Sequence, residues 1–309
     1  METTLALTPA QRRTLDGLIG TGERPPFAAD DLARVRDRIE QAVRSAELRE
    51  PLWLGKSHLS NLAKCPGLFD AVRSGERGPF AFSARFATGK LAHKAVELEV
   101  AGRDDRDPHE LVEAAVDRLV EDPAFRTYWD GLDPIRRDET LMDGAKLLQL
   151  FRATMPPLRL MRRELSPSTE WTVRAELLGG ALVLSGTLDL VLGSGVGDRP
   201  GRATRLAVDL KTGRAWAEHA EDMRFYALVL GLRFGVPPYR VATLYLESGE
   251  WQAEDVDLRV LDRAADRVIG AVRAAAAAEA GRPPDLRPGP YCAWCPRART
   301  CPSSATRLH

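Results

Sequence analysis

Two apolar runs, ALVLSGTLDLVL (181–192) and TRLAVDLK (204–211), each carry a single carboxylate, and the glycine-rich stretch GSGVGDRPG lies between them. With TEWTVRAEL (169–177) before LGG, they form three β-rich runs separated by turn chemistry, which predicts an antiparallel meander. Side chains alternate along a strand, so Asp209 and Lys211 share a face. Pairing Asp189 opposite Asp209 centres the hairpin on residue 199, inside the glycine-rich connection. Two close carboxylates raise each other's pKa unless a cation joins them. Hard oxygen donors suit Mg2+ or Mn2+, and a neighbouring lysine can orient or deprotonate water, or offset charge developing at phosphorus. The trio therefore fits hydrolysis of a phosphodiester by metal-activated water. Taken alone, such a triple is more often a solvated salt bridge.

The regions on either side are read as helical. Residues 1 to 50 have helical apolar spacing, with Asp30 or Asp31 as N-cap, up to the break at Pro51. Further helices are expected near 86–100, 217–234 (closed by Gly235 and Pro237) and 256–280, with a strand at 239–247. The expected fold is α/β: a core of helix, three-strand meander, helix and strand. To it are added N-terminal helices (1–50), a first cysteine segment with the histidine helix (51–105), a helical insertion (106–160), and a cysteine-cluster segment (281–309) after the core (161–280).

In TGKLAHKAVE, Gly89, His93 and Glu97 recur every four residues on one helix face. A lone histidine there is usually a satisfied core or surface group. The cysteines are more specific: Cys65 in NLAKCPGLF is followed far downstream by Cys292, Cys295 and Cys301 in YCAWCPRARTCP. That triplet is too dense for unrelated buried thiols. It leaves zinc and an iron–sulfur cluster open, and one distant cysteine with proline-flanked partners favours the cluster. Either group would tie the C-terminal tail to residue 65 and close a very long loop.

Composition excludes little. The chain has 309 residues with 44 basic and 44 acidic, so any nucleic-acid surface must be local. Arginines at 287, 297, 299 and 307, and RLMRR at 159–163, are the local biases, each equally a solvated basic face. No run reaches the roughly 18–20 apolar residues of a membrane span, and no secretion signal is visible, which predicts a cytoplasmic location.

Taken in order, the motifs resemble the RecB-like branch of the PD-(D/E)XK nucleases in its iron–sulfur form, with the AddB nuclease domain and CRISPR-adaptation exonucleases as relatives. SHLSNLAKCP is similar to that family's opening cysteine segment, and TGKLAHKAVE to its histidine helix. GTLDLVL and AVDLKTG are similar to its acidic motifs, and YCAWCPRARTC to its closing triplet. The resemblance implies that Asp189, Asp209, His93 and the Leu210 carbonyl bind a divalent metal, Mg2+ or Mn2+, while Lys211 positions water. It also implies that Cys65, Cys292, Cys295 and Cys301 hold a [4Fe–4S] cluster. Tyr226 matches the tyrosine of the family's DNA-contacting helix motif, but Asp222 stands where glutamine is expected and Leu188 replaces the proline of the family name. Tyr226 would otherwise be an aromatic packing on the sheet, and Tyr291 and Trp294 read as shields of the cluster.

The expected function is a metal-dependent DNA nuclease: an exonuclease on single-stranded ends, in DNA repair, recombination or defence. No G-x4-G-K-[ST] motif occurs, so unwinding would need a helicase partner. The alternative, motivated by Asp222 and the neutral charge, is a catalytically weak DNA-binding adaptor subunit of the same fold.

Overall fold

A computed structural model describes residues 5–20, 29–198 and 203–304. Helix α1 (Pro9–Arg13) starts on a capping box at Thr8 and runs into a π-helical turn at Thr14–Ile19; α2 spans Ala29–Ala46. The expected N-caps Asp30 and Asp31 lie instead inside the first turn of α2, where carboxylates meet the positive end of the helix dipole. The N-terminal helical reading of residues 21–28 falls outside the described residues.

A short strand β1 (Leu52–Leu54) precedes α3 (Lys56–Lys64), which ends at Cys65 and is followed at once by α4 (Pro66–Arg73). Helix α5 (Ala84–Ala101) carries His93. The insertion forms α6 (Pro108–Leu119), α7 (Pro123–Asp130) and α8 (Pro134–Thr154), each opened by an aspartate cap and a proline that needs no amide partner there. A single turn, α9 (Arg162–Leu165), leads to strands β2 (Ser168–Leu177), β3 (Leu182–Leu192) and β4 (Leu206–Lys211). Then follow α10 (Ala217–Phe234), β5 (Arg240–Tyr245), β6 (Glu250–Asp255) and α11 (Leu258–Glu279). Gly235, at φ 75°, closes α10 in the left-handed conformation that glycine adopts without strain.

The six strands form one mixed sheet rather than a meander plus one strand. Strands β2, β3 and β4 are the expected antiparallel meander. Two strands extend it: β1 pairs parallel with the start of β3, and β6 pairs antiparallel with β5, which itself runs parallel to β4. Along one edge of β3, β1 is paired at residues 182–184 and β4 at 190–192, so the chain between them is left open.

Helices cover both faces. Leu32, Ile39, Phe225, Leu228 and Val268 of α2, α10 and α11 build one core. Leu91, Val112, Leu148 and Phe151 of α5, α6 and α8 build the other, together with Leu190, Val208 and Leu244 of the sheet. Residues 106–160 thus supply a core layer and are not an appendage. Among the described residues, no helix is long and apolar enough to cross a membrane.

Candidate active site

The β3–β4 ladder runs from Leu192–Leu206 to Leu190–Val208 and ends one step short of Asp189 and Asp209, the register expected from the central turn. At that step the strands part. The Leu210 amide turns to the Asp189 carboxylate and donates to it at 2.6 Å. A phase change in β3 accompanies the split. Leu182, Leu184 and Leu188 face the α10–α11 core, whereas Leu190 and Leu192 face the α5–α8 core. Opposite Asp189 in β2 sits Glu170, whose φ of 48° is unusual for a residue with a side chain. Local strain at this point re-aims side chains where β3 and β4 diverge.

Four expected residues converge here. His93 Nδ1 lies 3.5 Å from Asp189, and Asp209, only 4% exposed, is ion-paired to Lys211. Burial opposes protonation of His93, yet its hydrogen bond to Asp189 holds the imidazole above its ordinary pKa. Burial likewise disfavours the Asp189 charge, but His93 and the Leu210 amide hold that carboxyl below the usual range. Tyr226 is placed differently: its ring is buried beneath Lys56 and its hydroxyl donates to the Thr187 carbonyl. Burial pushes that phenol up to about 12.

Three participants were not expected from the sequence. Lys56, the first residue of α3, donates to Asp209 Oδ1 at 3.0 Å, so both Asp209 oxygens meet an ammonium. Burial works against its charge, but Asp209 raises the Lys56 pKa well above the ordinary value. Glu170 joins His93 and Asp189 in a trio whose ligand atoms all lie within 4.8 Å of one another. Ser60 donates to Asp222 at 3.1 Å. Burial lifts the Asp222 carboxyl above its usual range, and Lys56 and Ser60 offset this only in part. Only the start of the TEW run, for Glu170, could have drawn notice; Lys56 meets Asp209 across 153 positions of chain.

One imidazole and several carboxylates are a donor set for Mg2+ or Mn2+. His93, Asp189 and Glu170 could hold such an ion, with Asp209 beside them. His93, Asp189 and Lys211 line one groove with Arg85, Phe86 and Lys90.

A second site lies where α3 meets α4. Cys65, Cys292, Cys295 and Cys301 are free thiols lining a single cavity of about 230 Å³. Burial raises the Cys295 thiol, and the other three sulfurs act in the same direction. The tail is fastened to this region by several contacts. The Tyr291 hydroxyl sits 2.9 Å from the Lys64 carbonyl, and Arg297 bridges Asp70 at 2.8 Å and Glu76. Gly78 abuts the Trp294 carbonyl so closely that a Cβ there would come within 2.0 Å of its oxygen.

A family model described as the PD-(D/E)XK nuclease superfamily matches residues 54–302, from the end of β1 through the last cysteine. No curated protein sequence gives a match.

Proposed function

The chain belongs to the PD-(D/E)XK nuclease superfamily, whose members are metal-dependent phosphodiester hydrolases, and on that premise we propose that it is an exonuclease on single-stranded DNA ends. The observation that carries this reading is the convergence of Asp189, Asp209, Lys211 and His93 at the open end of β3 and β4. A bound divalent ion would supply a Lewis acid and an acidified water. His93, Asp189, Asp209 and the Leu210 carbonyl would hold it, with Glu170 as a further donor. Lys211, an ammonium paired with Asp209, is poised to orient the attacking water. Lys56 pairs with Asp209 and can offset charge building on the phosphate. Tyr226 is assigned a supporting role: its buried ring carries Lys56 and its hydroxyl holds β3 at Thr187.

The four cysteines are assigned a structural [4Fe–4S] cluster. Four thiolates close directly around a single zinc ion, with sulfur about 2.3 Å from the metal. All four thiols line one cavity, which supports a group shared among them. A role in cytoplasmic DNA repair, recombination or defence, with a helicase to supply single strands, agrees with a chain that lacks a P-loop of its own.

The test is end-labelled linear single-stranded DNA with Mn2+, alongside circular single-stranded DNA. Wild-type protein should degrade the linear strand alone, and Asp209→Ala and Lys211→Ala should degrade neither. Equal cleavage by wild type and both variants would sink the nuclease reading, and cleavage of the circle would sink the need for an end. Tight DNA binding without cleavage under every divalent metal would leave the adaptor reading.

A further inference from the structure

The groove that contains the acids has an aromatic rim that the metal chemistry does not use. Phe80 is 62% exposed and Phe86 43% exposed, an arrangement that costs hydrophobic free energy without a partner. Both rings pack on Phe82, with centroids 5.1 Å away in each case, and on each other at 5.4 Å. Phe82 in turn sits 5.5 Å from the buried Phe125 and 5.6 Å from Tyr128, both on α7. The exposed pair is therefore anchored from below by the insertion.

Phe86 and His93 are both on α5, seven residues or about two turns apart on one face, roughly 10 Å along the axis. Lys90 lies between them, and Phe86, Arg85, Lys90, His93 and Lys211 line the same groove. Basic residues lining the groove beside the exposed Phe86, with Phe80 packed against that ring, suit a strand whose phosphates need countercharge and whose bases are unpaired. A duplex keeps its interior bases stacked on one another and offers such a rim only the outer faces of its end pairs.

We propose that Phe80 and Phe86 form a stacking platform for the bases of single-stranded DNA entering the catalytic groove. The platform rests on the nuclease reading for its substrate and names how that site would tell single strands from duplex. It also gives the 106–160 insertion a task, since Phe125 and Tyr128 brace the rings.

The experiment measures binding by fluorescence anisotropy in EDTA, so that no strand is cut. The probes are a thymidine oligonucleotide, an abasic oligonucleotide of equal length and a blunt duplex. Phe80→Ala and Phe86→Ala should each weaken thymidine-strand binding roughly fivefold to a hundredfold, while abasic and duplex binding stay within twofold of wild type. Phe86→Trp should restore affinity and Phe86→Leu should not, with unchanged melting temperatures for all. Equal losses on all three probes, or full affinity in Phe86→Leu, would overturn the platform, as would a wild type that fails to bind the thymidine strand. If the thymidine strand binds with this pattern but is never cut in Mn2+, the nuclease reading fails and the platform stands.

Discussion

Lys56 and Asp209 offer the sharpest test of the site's geometry, through the pair of substitutions Lys56→Met and Asp209→Asn, alone and together. The ammonium is 3.0 Å from Oδ1, with the Lys56 side chain 31% exposed and that of Asp209 only 5% exposed. Coulomb's law at an effective dielectric of about 20 gives an upper figure of about 5 kcal/mol for that separation. The lysine's access to water reduces it, and a charge-assisted hydrogen bond contributes about 1.5–3 kcal/mol. Lys211 still faces the other oxygen in Lys56→Met, so the carboxylate is not orphaned and that variant falls at the low end. Asp209→Asn leaves two neighbouring ammoniums without their anion and costs more. The interaction energy of the cycle should be about 1–2 kcal/mol, read from urea denaturation in EDTA at pH 7. At about 2–4 °C per kcal/mol for a large domain, melting curves should register it as well. Single-variant losses that sum to the double-variant loss within about 0.5 kcal/mol would refute the contact as a contributor to stability.

Three further outcomes follow from the same geometry. In EDTA the His93–Asp189 pair should stabilise the protein most where His93 is charged, because its folded pKa lies above the ordinary value of about 6.5. That contribution is full below about pH 6.5 and is lost as pH rises through the raised value, whereas Asp189, with its lowered pKa, gives up its share only as pH falls through the acid range. The melting difference between wild type and His93→Ala should therefore shrink between pH 6 and 9, while Mn2+ affinity measured by calorimetry climbs as the imidazole sheds its proton. Cys295→Ser should yield colourless, iron-free protein with a markedly lower melting temperature; unchanged melting and iron content would remove the cysteine staple. Gly78→Ala, which forces a Cβ into the Trp294 carbonyl, should cost about 1–3 kcal/mol, whereas Gly270→Ala, on the open side of α11, should gain about 0.5–1 kcal/mol in urea denaturation.

What could be read from the sequence was what local chemistry decides. The β3–β4 register followed from glycine-rich chain equidistant from Asp189 and Asp209, and α10 ended where Gly235 could take positive φ. Distant pairing left no such trace. Strand β1 is three residues after Pro51 and pairs with residues about 130 positions later, so nothing nearby marks it. Strand β6 lies on the sheet edge, and the alternation in its EWQAED rests on Trp251 and Ala253 alone among four polar residues, a weak mark of a half-buried strand. Lys56 occupies an unremarkable helix start, and its importance comes from the fold bringing it to Asp209. Glu170 reads as an ordinary strand residue; its left-handed backbone, and thus its place beside His93, depends on the break in β3 phase at Asp189.

Helix α3 is only nine residues long, a rigid bar of about 14 Å. One tip bears the ammonium that grips Asp209, and the other abuts Cys65. Such a short bar has little give, so slackening at its sulfur end would be felt at its lysine tip. The acidic site and the cysteine cavity are neighbours at the two ends of one strut, so damage to either would be expected to reach the other.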